Sequence, residues 1–140
     1  MYKAEQVAGY IVKKCVSDGQ PISNLQLQKI LYYVQLSFLK ASGPLFEDDF
    51  EAWQFGPVVP AVYYKYSAYG SMPIDIFESK YHLDSDSMEM IDPIVDEKRE
   101  LNPWDLVKET HRNGGAWDRI FQHGKGNRQV IPKQLIKTAG

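Results

Sequence analysis

The chain has 140 residues, of which 44% are hydrophobic and 13% aromatic, so it can bury a core and is too apolar to be disordered. No apolar run approaches the ~20 residues that a membrane span needs, and one cysteine excludes an intrachain disulfide. The N-terminus does not have the pattern of a signal peptide, so we expect one cytoplasmic domain covering residues 1–140.

The net charge of −2 hides an uneven distribution of charged side chains. Residues 1–97 carry 7 Lys and Arg against 14 Asp and Glu, whereas residues 98–140 carry 9 against 4. Ordinary clustering on a solvated surface is one interpretation of this pattern. The other is a nucleic-acid-binding regulatory module whose basic segment contacts phosphates through Arg112, Arg119, Lys125 and Arg128.

Two helices are predicted in the first third of the chain. Apolar residues recur every three or four positions over residues 4–16, which is typical of an amphipathic helix. A second helix is predicted over residues 23–41. It begins with a capping box, in which the side chains of Ser23 and Gln26 bond each other's backbone amide.

The second helix is apolar around most of its circumference, which is typical of the central helix of a domain. Lys29 and Gln35 interrupt that apolar surface. We expect Gln35 to be a buried amide that bonds nearby backbone groups, because buried amides are almost always hydrogen-bonded.

The aromatic stretch that follows is predicted to bend at a defined angle. Residues 50–55 nearly alternate between apolar and polar, which favours an extended segment, and Trp53 within it is expected to lie in the core. Gly56 permits backbone angles that other residues avoid, and Pro57 fixes its own φ, so we place the bend there. Helical spacing then predicts a helix over residues 58–69.

The C-terminal half is less regular. Pro93 interrupts the polar stretch 78–97 and predicts at most one or two helical turns on either side. Asn102 and Pro103 occupy the positions that each prefers at the start of a helix. With shorter helical segments further on, the pattern predicts a mainly α fold: a single compact domain of about five to six helices with a few short strands or extended segments.

The sequence contains no group of residues typical of an enzyme. The histidines His82, His111 and His123 lack the spacing of zinc ligands, and there is no Cys-x-x-Cys motif. A hydrolase built on Glu51 and His111 would have no evident third group. We therefore expect no catalysis, no metal and no cofactor.

Three stretches resemble one protein family. Residues 27–35 (LQKILYYVQ) look like its second helix, residues 44–70 contain its central motif, and residues 106–117 look like its C-terminal motif. The family is the Panacea antitoxin domain, also described as SocA-like or phage-associated GepA-like. The matching positions, to which we assign structural roles, are Lys29, Gln35, Glu51, Trp53, Gly56, Pro57, Pro60, Gly70, Thr110, His111 and Trp117.

The resemblance implies a mostly helical antitoxin that neutralises a small toxin by direct binding. Some members of the family also hand the toxin to a Clp-type protease, and such genes are common on prophages. The family brings no catalytic residues. Ala116 stands where it usually has a proline, so the local turn is expected to differ.

A neutralising surface needs aromatic side chains that can be desolvated. Our hypothesis places part of the partner contact on the tyrosines that follow the bend, with an acidic loop that attracts a basic toxin. The residues concerned are Tyr63, Tyr64, Tyr66 and Tyr69, and Glu47, Asp48 and Asp49.

Overall fold

The fold is assembled around one long helix, α2 (Asn24–Ala41), in a computed structural model that describes residues 1–140. Twelve of its 18 residues are buried, as the apolar circumference predicted. The other elements, in chain order, are α1 (Ala4–Ser17), β1 (Phe50–Trp53), β2 (Gly56–Val58), α3 (Pro60–Lys65), α4 (Ser85–Lys98), α5 (Pro103–Thr110), α6 (Ala116–Phe121), β3 (Val130–Ile131) and α7 (Lys133–Ala139).

Helix α2 contacts α1, α3, α4, α5, α7 and β2, and a contiguous core of 30 buried residues surrounds it. The mainly α, single-domain prediction is confirmed, with seven helices rather than five or six. The predicted capping box is present, with the Gln26 amide donating to Ser23 Oγ at 3.2 Å. No helix combines the length and the apolar character that crossing a membrane requires.

The amide of Gln35 is buried and satisfied, as predicted. Its Nε2 donates to the carbonyl of Phe46, and its Oε1 accepts from the amide of Leu45, both at 2.9 Å. The side chain is 0% exposed, so these bonds replace water entirely. They fasten the chain that leaves α2 back onto the helix.

The prediction of the bend was wrong in its position. Strands β1 and β2 form an antiparallel hairpin in which Trp53 pairs with Gly56, so Gln54 and Phe55 make the turn. Pro57 lies inside β2, which is an edge strand in the order β2-β1-β3. An edge strand tolerates proline because one side of its backbone needs no ladder donor.

The predicted continuous helix over residues 58–69 is also broken. Val58 belongs to β2, and α3 begins only at Pro60, the first helical position that proline prefers. The helix ends at Lys65, and a 3-10 turn (Ser67–Tyr69) follows after Tyr66. Ser67 Oγ donates to the carbonyl of Tyr64 at 2.9 Å, a local bond that competes with helix continuation.

Pro93 does not divide its segment, contrary to the prediction. Helix α4 runs for 14 residues through it and is capped by Asp84, whose carboxylate accepts from the Ser87 amide. Because proline has no backbone N–H, the carbonyl of Glu89, four residues earlier, loses its helical hydrogen bond. Both residues are exposed, so water can satisfy that carbonyl. The opposite face is held by the core through Ile91 and Val95.

Candidate functional site

Some of the residues that carried the family resemblance meet beneath the hairpin, whereas Gln35 bonds to the segment that follows α2. Lys29 of α2 is 0% exposed, and its Nζ donates to the carbonyl of Pro57 at 3.2 Å. Gly56 lies directly over it: a Cβ there would stand 2.8 Å from Lys29 Cε and 2.8 Å from Thr110 Oγ1 of α5. The glycine is therefore required by the close approach of two helices as well as by its φ of +115°.

Lys29 has no carboxylate partner in this buried position. Burial lowers the pKa of its ammonium from an ordinary value near 10.5 to about 7. His111, at the end of α5, also has a lowered pKa, first because of burial and then because of the charge on Lys29. Protonation of either Lys29 or His111 is therefore unfavourable in the folded protein, because a charge there is buried.

Trp117 of α6 connects this region to β1. Its indole stacks on His111 with 3.7 Å between ring centroids and 4° between planes. Its Nε1 donates to the carbonyl of Trp53 at 2.8 Å. Trp117 is 6% exposed, so its role is to hold the hairpin on α6.

The outer side of the same hairpin forms one wall of a groove of about 820 Å³. The remaining walls come from the start of α2, the α3 region, the start of α5 and the loop that precedes β3. We call this the aromatic groove. Its lining residues are Asn24, Leu25, Gln28, Trp53, Gln54, Phe55, Val58, Tyr63, Ser67, Gly70, Ser71, Trp104, Phe121, His123, Gly124, Asn127 and Arg128.

Trp53 is half-buried in the wall of the aromatic groove, so its assignment to the core was wrong. Its Nε1 donates to Glu51 Oε1 at 2.9 Å, which fixes the indole. The rings of Tyr63 and Tyr64 stand 5.0 and 6.0 Å from it. The hairpin thus points its tryptophan outward because this bond and these rings support it there.

A second aromatic pair lies at the rim of the groove. Phe55, at the hairpin turn, and Trp104, in the first turn of α5, meet edge to face at 5.4 Å. They are 46% and 58% exposed, and contacts within the chain leave much of both rings in water. Exposed large aromatics grouped together are typical of interaction surfaces.

The four tyrosines of the partner-contact hypothesis differ in their exposure. Tyr63 lines the groove, and Tyr64 is 56% exposed beside it. Tyr66 is only 7% exposed and belongs to the core, so its ring is not available to a partner here. Tyr69 is partly buried against that core.

Glu47 and Asp49 of the acidic triplet are exposed and Asp48 is half-buried, but each carboxylate has a role within the chain. Glu47 pairs with Lys3, and Asp49 pairs with Lys133 at 2.7 Å. Asp48 accepts from the amide of Ala4 at 2.8 Å, at the start of α1. The loop therefore ties α1 to the C-terminal part of the chain.

The basic C-terminal side chains do not form one phosphate-binding surface. Arg112 donates to the carbonyl of Ala139, and Arg119 to that of Gly114, each at 2.7 Å. Arg128 lies at the aromatic groove, and Lys125 is exposed with no ion pair. These contacts weaken the nucleic-acid hypothesis.

The hydrolase hypothesis required contact between Glu51 and His111, but these two residues have separate partners. Glu51 holds the indole of Trp53, whereas His111 stacks on Trp117. The structure also contains no group of three or more His, Cys, Asp or Glu side chains arranged to hold a metal ion.

Sequence reasoning missed Phe55, Trp104 and the amides at the base of the groove. Gln28 donates to Asn24 Oδ1 at 3.0 Å and accepts from the amide of Val59, also at 3.0 Å. Both amides are buried. The available signal was two amides four residues apart on a predicted helix, together with a tryptophan directly after a helix-starting proline.

Comparison with known proteins identifies the family of the chain. A sequence profile of the family described as "Antitoxin SocA-like, Panacea domain" matches residues 27–118. The chain is similar to the protein named Antitoxin SocA of Caulobacter vibrioides (strain NA1000 / CB15N), with 36% identity over 136 residues that cover 88% of this chain and 72% of the relative. No solved structure matches. The chain belongs to the SocA-like Panacea antitoxin family.

Proposed function

We propose that this protein is an antitoxin that neutralises a small cognate toxin by direct binding, without catalysis, and that the aromatic groove is its contact surface. Family membership supports the antitoxin role. The observation that carries the choice of surface is the exposed Phe55–Trp104 pair, adjoining Trp53 and Tyr63 in the same groove.

Aromatic side chains suit this role for an energetic reason. Trp and Tyr bury a large area with few rotatable bonds, and a central aromatic hot spot contributes about 2 kcal/mol or more to binding. The rings here are already held by neighbours, since Trp53 is bonded to Glu51. Little conformational freedom is lost when a partner covers them.

The first experiment measures neutralisation by variants of the rim. The protein is co-expressed with the product of the adjacent gene, and growth is compared for the wild type, Trp104→Ala and Phe55→Ser. We expect each substitution to weaken the complex by at least about tenfold, measured by calorimetry with the purified proteins.

Ile76→Ser is the matched control, because Ile76 is 72% exposed and does not line the groove. It should neutralise like the wild type. Full neutralisation by both rim variants would exclude this surface. An adjacent product that is harmless when expressed alone would argue against the toxin–antitoxin pair itself.

The same purified components separate direct neutralisation from delivery to a Clp-type protease. Direct binding predicts that the antitoxin blocks the toxin's activity in a reaction that contains no protease. If neutralisation occurs only in cells with an intact Clp-type protease, the adaptor role replaces simple occlusion.

A further inference from the structure

The side chain of Arg128 lines the aromatic groove, and its guanidinium lies over the ring of Trp53. Its Cζ stands 4.2 Å from the ring centroid of Trp53, and one Nη donates to Tyr64 Oη at 3.2 Å. No ion pair within the chain neutralises it, whereas Arg99 pairs with both Asp18 and Asp96. The remaining N–H donors of the Arg128 guanidinium make no hydrogen bond within the chain.

The backbone holds Arg128 in this position at a cost. Its φ is +66°, a left-handed conformation that costs a non-glycine residue roughly 1 kcal/mol. Two backbone bonds with Ala52 keep it there: the Arg128 amide donates to the Ala52 carbonyl at 2.7 Å, and the Ala52 amide donates to the Gln129 carbonyl at 2.8 Å. Because Ala52 directly precedes Trp53, these backbone bonds also place the Arg128 guanidinium next to the Trp53 ring.

The chemistry of the groove is otherwise uncharged and aromatic. None of its lining residues is Asp or Glu, although acidic residues outnumber basic ones in the chain as a whole. The carboxylate of Glu51, beside the groove, is already bonded to the Trp53 indole. A carboxylate entering the groove would find an oriented guanidinium, whose planar donors suit a carboxylate. Phe55 and Trp104 offer apolar contact within the same groove.

We propose that the groove binds an acidic segment of the partner protein, with a carboxylate on Arg128 and an adjacent apolar or aromatic side chain against the Trp53, Phe55 and Trp104 rings. This inference rests on the proposed function for the identity of the partner, but the ligand chemistry follows from the groove itself. It differs from the expectation that a basic toxin is attracted by the acidic loop.

Two small probes that differ in one group, a carboxylate or a neutral carboxamide, test the ligand chemistry. N-acetyl-L-tryptophan carries a carboxylate, and N-acetyl-L-tryptophanamide is its neutral counterpart. Titrations are followed by the indole N–H resonances of Trp53 and Trp104, with buried Trp117 as an internal reference. We expect the carboxylate probe to bind at least about threefold more tightly, a ratio set by one partly exposed ion pair.

Arg128→Met removes the charge and should abolish the difference between the probes. Arg119→Met is the matched control, because it removes a charge from the same basic segment outside the groove. An unshifted Trp117 resonance verifies that each variant is folded. Equal binding of the two probes, or no response to the carboxylate probe, would overturn the inference.

Single-stranded oligouridylate is the third probe. If it shifts the groove resonances at lower concentration than the carboxylate probe, with steep salt dependence, the groove is a nucleic-acid site and the inference is wrong.

Neutralisation of the toxin by Arg128→Glu separates the two proposals. If Trp104→Ala fails to neutralise but Arg128→Glu neutralises fully, the groove is the contact surface and the acidic segment is excluded. If the probes discriminate by charge while both groove variants neutralise, the ligand chemistry stands and the toxin binds elsewhere. We expect both variants to fail.

Discussion

Lys29 is a buried lysine whose ammonium has only a backbone carbonyl as its partner. The aliphatic stem adds to the packing of α2, and the Nζ bond to Pro57 fixes β2 on that helix. Burial lowers the pKa to about 7, so near neutral pH a large part of the folded protein carries this residue uncharged. Lys29 connects the hairpin to the core, and its lowered pKa makes the stability of the protein depend on pH.

The sign of that dependence follows from the direction of the shift. Between pH 7 and 10.5 the unfolded chain holds a proton on Lys29 that the folded chain has lost, so this residue makes stability rise with pH. We expect the free energy of unfolding of the wild type, relative to Lys29→Met, to increase by about 1.4 kcal/mol per pH unit within that window.

Urea unfolding of both proteins at pH 7, 8 and 9 measures this difference. The subtraction cancels the titrating groups that do not interact with Lys29, provided that the variant is folded. His111 is the exception, because the charge on Lys29 lowers its pKa. A constant difference across the three pH values would show that Lys29 keeps its ordinary pKa in the folded state.

At the scale of elements, the β1–β2 hairpin is the connection between core and groove. Its inner side receives Lys29 and the Trp117 indole, and its outer side displays Trp53 and Phe55. The hairpin can have these two roles because Gly56, which has no side chain, lets its backbone pack closely against Lys29 of α2 and Thr110 of α5.

Gly56→Ala should therefore be strongly destabilising. The added methyl group meets Lys29 and Thr110 at 2.8 Å and also occupies a φ of +115°. Strain and overpacking together predict a loss of about 3 kcal/mol or more in the free energy of unfolding.

Gly19→Ala is the matched control, since Gly19 has a φ of +74° but no atom within 4 Å of the added Cβ. It should lose only about 1 kcal/mol, the cost of the left-handed conformation. Equal losses measured by thermal unfolding would mean that the close approach to the helices has no energetic weight.

At the scale of the whole molecule, contacts between distant segments account for most of the charges that looked available in the sequence. The acidic triplet joins α1 to α7, and Arg112 bonds to the carbonyl of Ala139 near the chain end. Arg128 remains as an unneutralised cation placed in the aromatic groove.

Asp48→Ala tests whether the acidic triplet is structural. Its carboxylate accepts from the amide of Ala4, one of the orphan donors at the start of α1, so its loss should cost about 1 kcal/mol of stability. Glu47→Ala is the control, because its exposed ion pair with Lys3 contributes little.

Chemical denaturation of both variants, followed by circular dichroism, gives the comparison. If Asp48→Ala is as stable as the wild type but neutralises the toxin poorly, the triplet belongs to the partner surface instead.

The sequence by itself determined the helical class, the capping box of α2 and the buried amide of Gln35. These features depend on residues within a few positions, or on apolar periodicity along one helix, so local physics suffices to predict them. The family motifs were also readable from the sequence, although their role in packing the hairpin onto α2 was not.

Only the tertiary structure decided where the hairpin turns, how α4 passes through Pro93 and which aromatics face outward. Each outcome depends on groups far apart in the chain: Arg128 supports Trp53 and Tyr64, and core contacts on the opposite face hold α4. No local pattern encodes such contacts. The groove exists because the packed core brings five separated segments to the same face.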